Sequence, residues 1–270
     1  MRAALLAEYR KFFTTRMWWV LLATMAGYMG FLAGIMAFAL AADPGGMNMG
    51  GAEAAPEIPP LDLALAVYTL APTLGYVFPV IIGALSVTGE FRHQTITPTL
   101  LAEPRRGRVL AAKLLASVPM GLLYGVTAVA TTFALGAGVL ALMDADPMLD
   151  DPEVLRTALF STLALIIWTV VGVGFGTALK NQVVAIVVIL AFTQLVEPVL
   201  RMAFGMIDGL EGVGRWLPGA AGEAIAGSSF YNVSGLGELL SRWQGVVVLL
   251  AYGLVLAAIG RFTTFRRDIT

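Results

Sequence analysis

Residues 114–143 read LLASVPMGLLYGVTAVATTFALGAGVLALM, 30 consecutive residues without an aspartate, glutamate, lysine or arginine. As a helix rising about 1.5 Å per residue, this run is longer than the ~30 Å hydrocarbon core of a bilayer. Lipid offers backbone amides and carbonyls no partner, so a helix is the conformation expected of it. Charge-free windows recur at 18–42, 63–87, 157–179 and 243–260, and a sixth stretch starting at 183 is charge-free for 14 residues before Glu197, Pro198 and Arg201. The composition agrees: hydrophobic residues make up 58% and charged residues 13% of the 270, against roughly 45–50% and 25% in soluble domains. The fold expected is all-α and polytopic, one transmembrane domain over 1–270 with spans at 18–42, 63–87, 114–143, 157–179, 183–207 and 243–263.

An even number of spans puts both ends of the chain on one face, and the charges distinguish that face. It receives 13 of the 17 basic residues and 4 of the 18 acidic ones, net +9; the opposite face receives 4 and 14, net −10. Positive loops stay in the cytoplasm, so the expected location is the plasma membrane, multi-pass, with both termini cytoplasmic. The first apolar run is too long for a cleavable signal and is expected to be retained. Before it, Leu5, Leu6, Tyr9, Phe12 and Phe13 share one arc of a helix at 100° per residue while Arg10 and Lys11 point away, so residues 1–17 read as a helix lying along the inner interface.

Several chemistries are excluded or disfavoured. With no cysteine and one histidine, His93, there is no disulfide, zinc-thiolate site, thiol nucleophile or His-His metal motif. In the outer loop, Asp144, Asp146, Asp150, Asp151 and Glu153 are the oxygen donors of a calcium site by type, but Met148 and Leu149 interrupt the spacing of an EF-hand. Met47 and Met49 lack a third soft ligand for Cu(I), and Asn232-Val233-Ser234 is a glycosylation sequon of the frequent chance kind. Gly30/Gly34, Gly121/Gly125 and Gly172/Gly176 are spaced for close helix packing, expected within the chain, and Pro119 is placed to kink the third span.

Two connections carry more. The inner one, residues 88–113, reads TGEFRHQTITPTLLAEPRRGRVLAAK. Thr97-Pro98 is a helix start and Pro104 a stop, which leaves a short helix between two spans, with Phe91, Ile96, Leu100 and Leu101 as apolar surface and charges of both signs around it. It is either a hairpin held to anionic lipid by its basic cluster or a docking element for a cytosolic partner. The outer one, residues 208–242, is glycine-rich and mixed in polarity. Just before it, Glu197 and Arg201 stand four apart on one helix face. An unpaired charge at membrane depth costs about 2.5–3.5 kcal/mol on the milder scale, so the two are expected to pair, closing the top of a span or serving as an outer gate.

On E8YRKFFTTR, on Gly89-Glu90-Phe91-Arg92 leading to Thr95, and on the segment from Pro104 to Lys113, the chain resembles the membrane (permease) subunit of type-2 ATP-binding cassette (ABC) exporters, over nearly its whole length. The resemblance implies that residues 1–17 are the connecting helix, that the loop 88–113 carries a coupling helix from Glu90 to about Leu101, and that 208–242 forms outer re-entrant helices with breaks at Pro198, Pro218 and Gly219. Glu90, Phe91, Arg92, Thr95, Leu100 and Arg105 would then couple the chain to a cytosolic ABC ATPase subunit holding ATP and magnesium, with a second permease copy or a related permease completing the export pathway in the membrane lipid. The chain itself cannot be that ATPase: a P-loop needs Gly-Lys-Ser/Thr, whereas Lys11, Lys113 and Lys180 follow Arg10, Ala112 and Leu179. No catalytic, cofactor-binding, metal or nucleic-acid site is expected in it. Walls of leucine, valine, phenylalanine and glycine suit a hydrophobic or amphiphilic substrate, drug or lipid, without naming one. Competing readings are a non-transporting scaffold or accessory subunit, and a secondary transporter, which would favour ionisable groups near the midplane and internal repeats.

Overall fold

The computed structural model describes residues 1–42, 59–207, 209–210, 212–228 and 239–264. Met47, Met49, the 232–234 sequon and much of the outer segment 208–242 therefore lie outside the described residues. Within them the chain is helical: α1 (Arg2–Thr14), α2 (Met17–Ala42), α3 (Pro60–Tyr68), α4 (Leu70–Leu74), α5 (Val77–Arg92), α6 (Ile96–Ala102), α7 (Arg106–Leu142), α8 (Pro152–Ala178), α9 (Gln182–Ala191), a π-helical turn (Phe192–Val196), α10 (Glu197–Gly205), a 3-10 turn (Gly214–Trp216), α11 (Pro218–Ala226) and α12 (Arg242–Thr263). Six helical stretches are long and apolar enough to cross a membrane: Met17–Ala42, Pro60–Arg92, Arg106–Leu142, Pro152–Ala178, Gln182–Gly205 and Arg242–Thr263. The protein is a multi-pass membrane protein of six such spans.

The helix that carries the third span begins at Arg106, ahead of the charge-free window at 114, because such a window marks the depth of lipid and says nothing about where the helix ends. The second span is not one straight helix over 63–87. It runs from Pro60 to Arg92 and is interrupted at Thr69 and at Gly75-Tyr76. Each interruption lies at or next to the residue four before a proline, Tyr68 before Pro72 and Gly75 before Pro79, where the ring removes an amide donor and crowds the carbonyl. The same rule places the π turn of the fifth span: Pro198 crowds Gln194, inside Phe192–Val196. Pro119, by contrast, lies inside α7 without dividing it.

α8 is the centre of the bundle, packed against α5, α7, α11 and α12. Glycine makes this possible. A Cβ on Gly176 would stand 2.6 Å from the Ala84 carbonyl oxygen, and one on Gly121 2.8 Å from the Ile166 Cα, so α5 and α7 approach α8 backbone to backbone. Gly172 meets the Val80 carbonyl and Gly83 the Thr169 carbonyl in the same seam. The glycine pairs thus pack helices within the chain, as expected of small residues in lipid, where close van der Waals contact replaces the hydrophobic drive. α2 lies outside: Met25, Met29, Ala33 and Ala37 face inward, while Phe31, Ile35 and Phe38 are exposed on its other side.

Candidate functional site

One end of the bundle is organised around four charges from three helices. Lys113, on α7, is 1% exposed, and its Nζ donates to Glu8 Oε2 at 2.9 Å, Glu90 Oε1 at 2.8 Å and the Ser86 carbonyl at 2.9 Å. Lys11 Nζ donates to Glu8 Oε1 at 2.9 Å, to the same Glu90 Oε1 at 2.5 Å and to Thr99 Oγ1 at 3.3 Å. Each ammonium thereby uses its three N–H bonds. Each carboxylate touches both lysines, and the set is electrically neutral. Neutrality matters because an isolated buried ion costs several kcal/mol, a penalty that the mutual attraction of a paired set offsets. Glu8 and Glu90 are both 5% exposed, and Glu90 Oε2 is buried without a hydrogen-bond partner. Burial alone lowers the pKa of the Lys11 ammonium. The hydrogen bond to Glu90 and the charges of Glu8 and Glu90 outweigh that and hold it above its ordinary value.

The local sequence explains the ring. Glu8 and Lys11 are three apart and share a face of α1. Glu90 lies in the last turn of α5, and Lys113 sits two turns into α7, where the helix is entering lipid and its charge must be met from neighbouring elements. Thr99 brings in α6. Phe12 anchors the opposite flank of α1, 7% exposed, and the Tyr124 hydroxyl donates to the Trp18 carbonyl at 2.7 Å, fastening the elbow between α1 and α2 to α7.

Of the apolar arc of α1, Leu5 and Tyr9 pack on the core and Leu6 and Phe13 are more than half exposed, while Lys11, expected to point away from the arc, reaches inward to Glu90. The inter-span loop 88–113 also divides differently. Glu90, Phe91 and Arg92 finish α5 and do not begin a separate helix; the short helix is Ile96–Ala102, with Thr95 at its N-cap. Phe91 and Leu100, both half-buried, pack on Val87, Ile96 and Val173, and Glu90 belongs to the ring. Arg92 donates to Gln182 Oε1 at 3.3 Å. Arg105 and Leu101 are exposed, Leu101 at 77%.

The other end holds a second buried set. Arg201 donates to Glu197 Oε1 through Nη2 at 2.7 Å and through Nε at 3.2 Å, the pairing expected at spacing four, and through Nη1 to Glu223 Oε2 at 2.9 Å. Glu197 also accepts the Gly219 and Ala220 amides, both at 2.9 Å, so the carboxylate of α10 caps the first turn of α11. Pro218 and Gly219 open that helix: proline needs no donor there, and a Cβ on Gly219 would lie 2.5 Å from Glu197 Oε1. Beside it, Tyr76 stacks on Trp168 with ring centroids 4.4 Å apart, donates to the Thr193 carbonyl at 3.3 Å and accepts from Gln194 Nε2 at 3.1 Å. The break in the second span and the π turn of the fifth are thus joined through one phenol.

Glu223 was not anticipated, although its lone charge in the apolar run AAGEAIA marked it. The acidic outer loop closes turns: Asp151 accepts the Glu153 amide at 2.7 Å and caps α8, and Asp146 accepts the Met148 amide at 2.9 Å. Arg242 bonds Glu153 and stands 5.0 Å over the Phe160 ring, tying α12 to α8. No protein-family model and no curated protein matches the chain.

Proposed function

We propose that this chain is the membrane subunit of a type-2 ABC exporter, with the end that carries α1 and α6 facing the cytosol, a second permease copy beside it and ATP hydrolysed on a separate ATPase subunit. The observation that supports the reading best is the ring. The three segments on which the resemblance rests, one at residues 8–16 and two within the connection 88–113, each contribute to it: Glu8 and Lys11 from the first, Glu90 from the second, Lys113 from the third. A load applied to α6 passes to α1 through Thr99 and Lys11, and to α5, α7 and α8 through Ile96, Leu100, Leu114 and Val173. Coupling needs such a path, since motion of a docking helix performs no transport unless it moves spans. Glu197, Arg201 and Glu223 then close the outer end of the pathway, whose substrate is hydrophobic or amphiphilic.

Docking belongs to the exposed residues of the loop, Leu101 and Arg105, and transmission to the half-buried Phe91 and the buried Glu90. Isolation of the tagged chain from its native membranes is expected to recover a P-loop ATPase, while the chain alone hydrolyses no ATP. Leu101→Ser with Arg105→Glu is expected to lower that recovery at unchanged membrane abundance, as truncation of interface anchors does. Phe91→Ala is expected to keep the partner and lose substrate-stimulated hydrolysis. Recovery of no ATPase, or hydrolysis by the contaminant-free chain, overturns the assignment.

A further inference from the structure

Between the elbow of α1 and α2 on one side and the ends of α5 and α9 on the other lies an open cleft of about 530 Å³, within the 300–1,000 Å³ range of small-molecule pockets. Its inner lining is apolar: Phe12, Ile82, Leu85 and Met120. Its rim is made of donors: Arg92, His93 and Gln182. The cleft lies where spans meet the basic face, since Met17, the first residue of α2, and Gly89, in the last turn of α5, both border it.

The charges at the rim are of one sign. Glu8 and Glu90 also border the cleft, but both are ion-paired with Lys11 and Lys113, and that set is neutral. Arg92 has no carboxylate within ion-pair distance among the described residues; its one recorded hydrogen bond goes to the neutral Gln182 Oε1. That bond turns the amide so that Gln182 Nε2 remains a donor. Arg92 retains further N–H bonds in the planar fork that matches phosphate oxygens. Donors without acceptors at the headgroup level, above an apolar slot at the acyl level, are complementary to one kind of molecule.

We infer that this cleft binds an anionic phospholipid, its phosphodiester held by Arg92, His93 and Gln182 and the upper part of an acyl chain lying against Leu85, Ile82 and Met120. Basic pockets between spans on the basic side select anionic headgroups in this way. The site is independent of whether the chain exports anything. Its occupant would bridge the α1 elbow to α5 and α9 beside the ion ring.

The test uses the full-length chain in phosphatidylcholine nanodiscs carrying a small fraction of photoactivatable phosphatidylglycerol or, in parallel, photoactivatable phosphatidylcholine, with cross-linked peptides mapped by mass spectrometry. Phosphatidylglycerol is expected to label the peptides containing Leu85 and Met120 about tenfold more than phosphatidylcholine, whose phosphodiester is the same but whose choline cation cancels its charge and is repelled by Arg92. Arg92→Gln with His93→Gln, both at exposed positions, is expected to bring the two probes to equality. Leu85→Trp, which fills the slot and leaves the rim intact, is expected to remove the label from both peptides. Equal labelling of the wild-type chain by the two lipids overturns the inference whether or not any variant folds. Competition by millimolar inorganic phosphate overturns it too, because a free-anion site needs no acyl slot, and so does undiminished labelling of the Arg92/His93 variant.

Discussion

Lys113 shows how much one residue organises. Its ammonium is enclosed by two carboxylates and a carbonyl, so Lys113→Met leaves two buried carboxylates facing one lysine. Removing one partner of a buried ion set costs about 3–5 kcal/mol, and a loss of that size is expected in denaturant titration of the purified chain. Combining Lys113→Met with Glu90→Gln restores neutrality and is expected to cost less than the sum of the single changes, the signature of residues acting as a set. The ring was not legible in the sequence even though each member was. Which inner segments meet cannot be read from spacing, and an apolar-arc reading of α1 places Lys11 outward because it counts only hydrophobic burial. Glu197 with Arg201 was legible because helical periodicity alone brings residues four apart together; Glu223, 22 positions away from Arg201, needed the fold of α11.

At the scale of elements, the six apolar runs were readable because lipid demands length, and length survives any detail of packing. Their interruptions were present as well, in Pro72, Pro79 and Pro198, but a reading by apolar length passes over a proline whose effect falls one turn earlier. Faces were not readable. α2 is apolar on the side that packs and on the side that does not, so hydrophobicity carries no direction in it, and only the glycines hint at the seams. That hint has an energetic consequence. Gly172→Ala puts a methyl group against the Val80 carbonyl, backbone that cannot rotate away, and is expected to cost about 1–3 kcal/mol or more through overpacking of α5 on α8. Gly27→Ala has nothing within 4 Å of the new methyl and is expected to be neutral or stabilising by up to about 1 kcal/mol, the helix-propensity difference. Thermal melting of both variants in one detergent checks the contrast, and equal melting temperatures would remove glycine contact as the cause.

Over the whole molecule, the two buried charge sets lie at opposite ends of the same bundle. One fastens α1, α5, α6 and α7; the other fastens α10 to α11, which packs on α8 and α12. Between them the spans hold few charges, and the middle of the bundle is joined by close glycine contacts. This makes the orientation of the bundle consequential, because it decides which set faces the cytosol. The loops argue for the ring. On its side lie 11 of the 15 basic residues among the described residues, and positive charge within reach of a span is retained on the cytoplasmic side. The chain has no native cysteine, so single cysteines report position without background. Ala102, at the exposed end of α6, and Leu149, 45% exposed in the turn before α8, are surface positions at the two ends. In intact cells a membrane-impermeant maleimide is expected to label Leu149→Cys and to label Ala102→Cys only after permeabilisation. Labelling of Ala102→Cys in intact cells, with Leu149→Cys protected, would invert the bundle. It would put the ring and α6 outside, out of reach of any cytosolic ATPase, and would remove the export reading while leaving the six-span architecture and both charge sets unchanged.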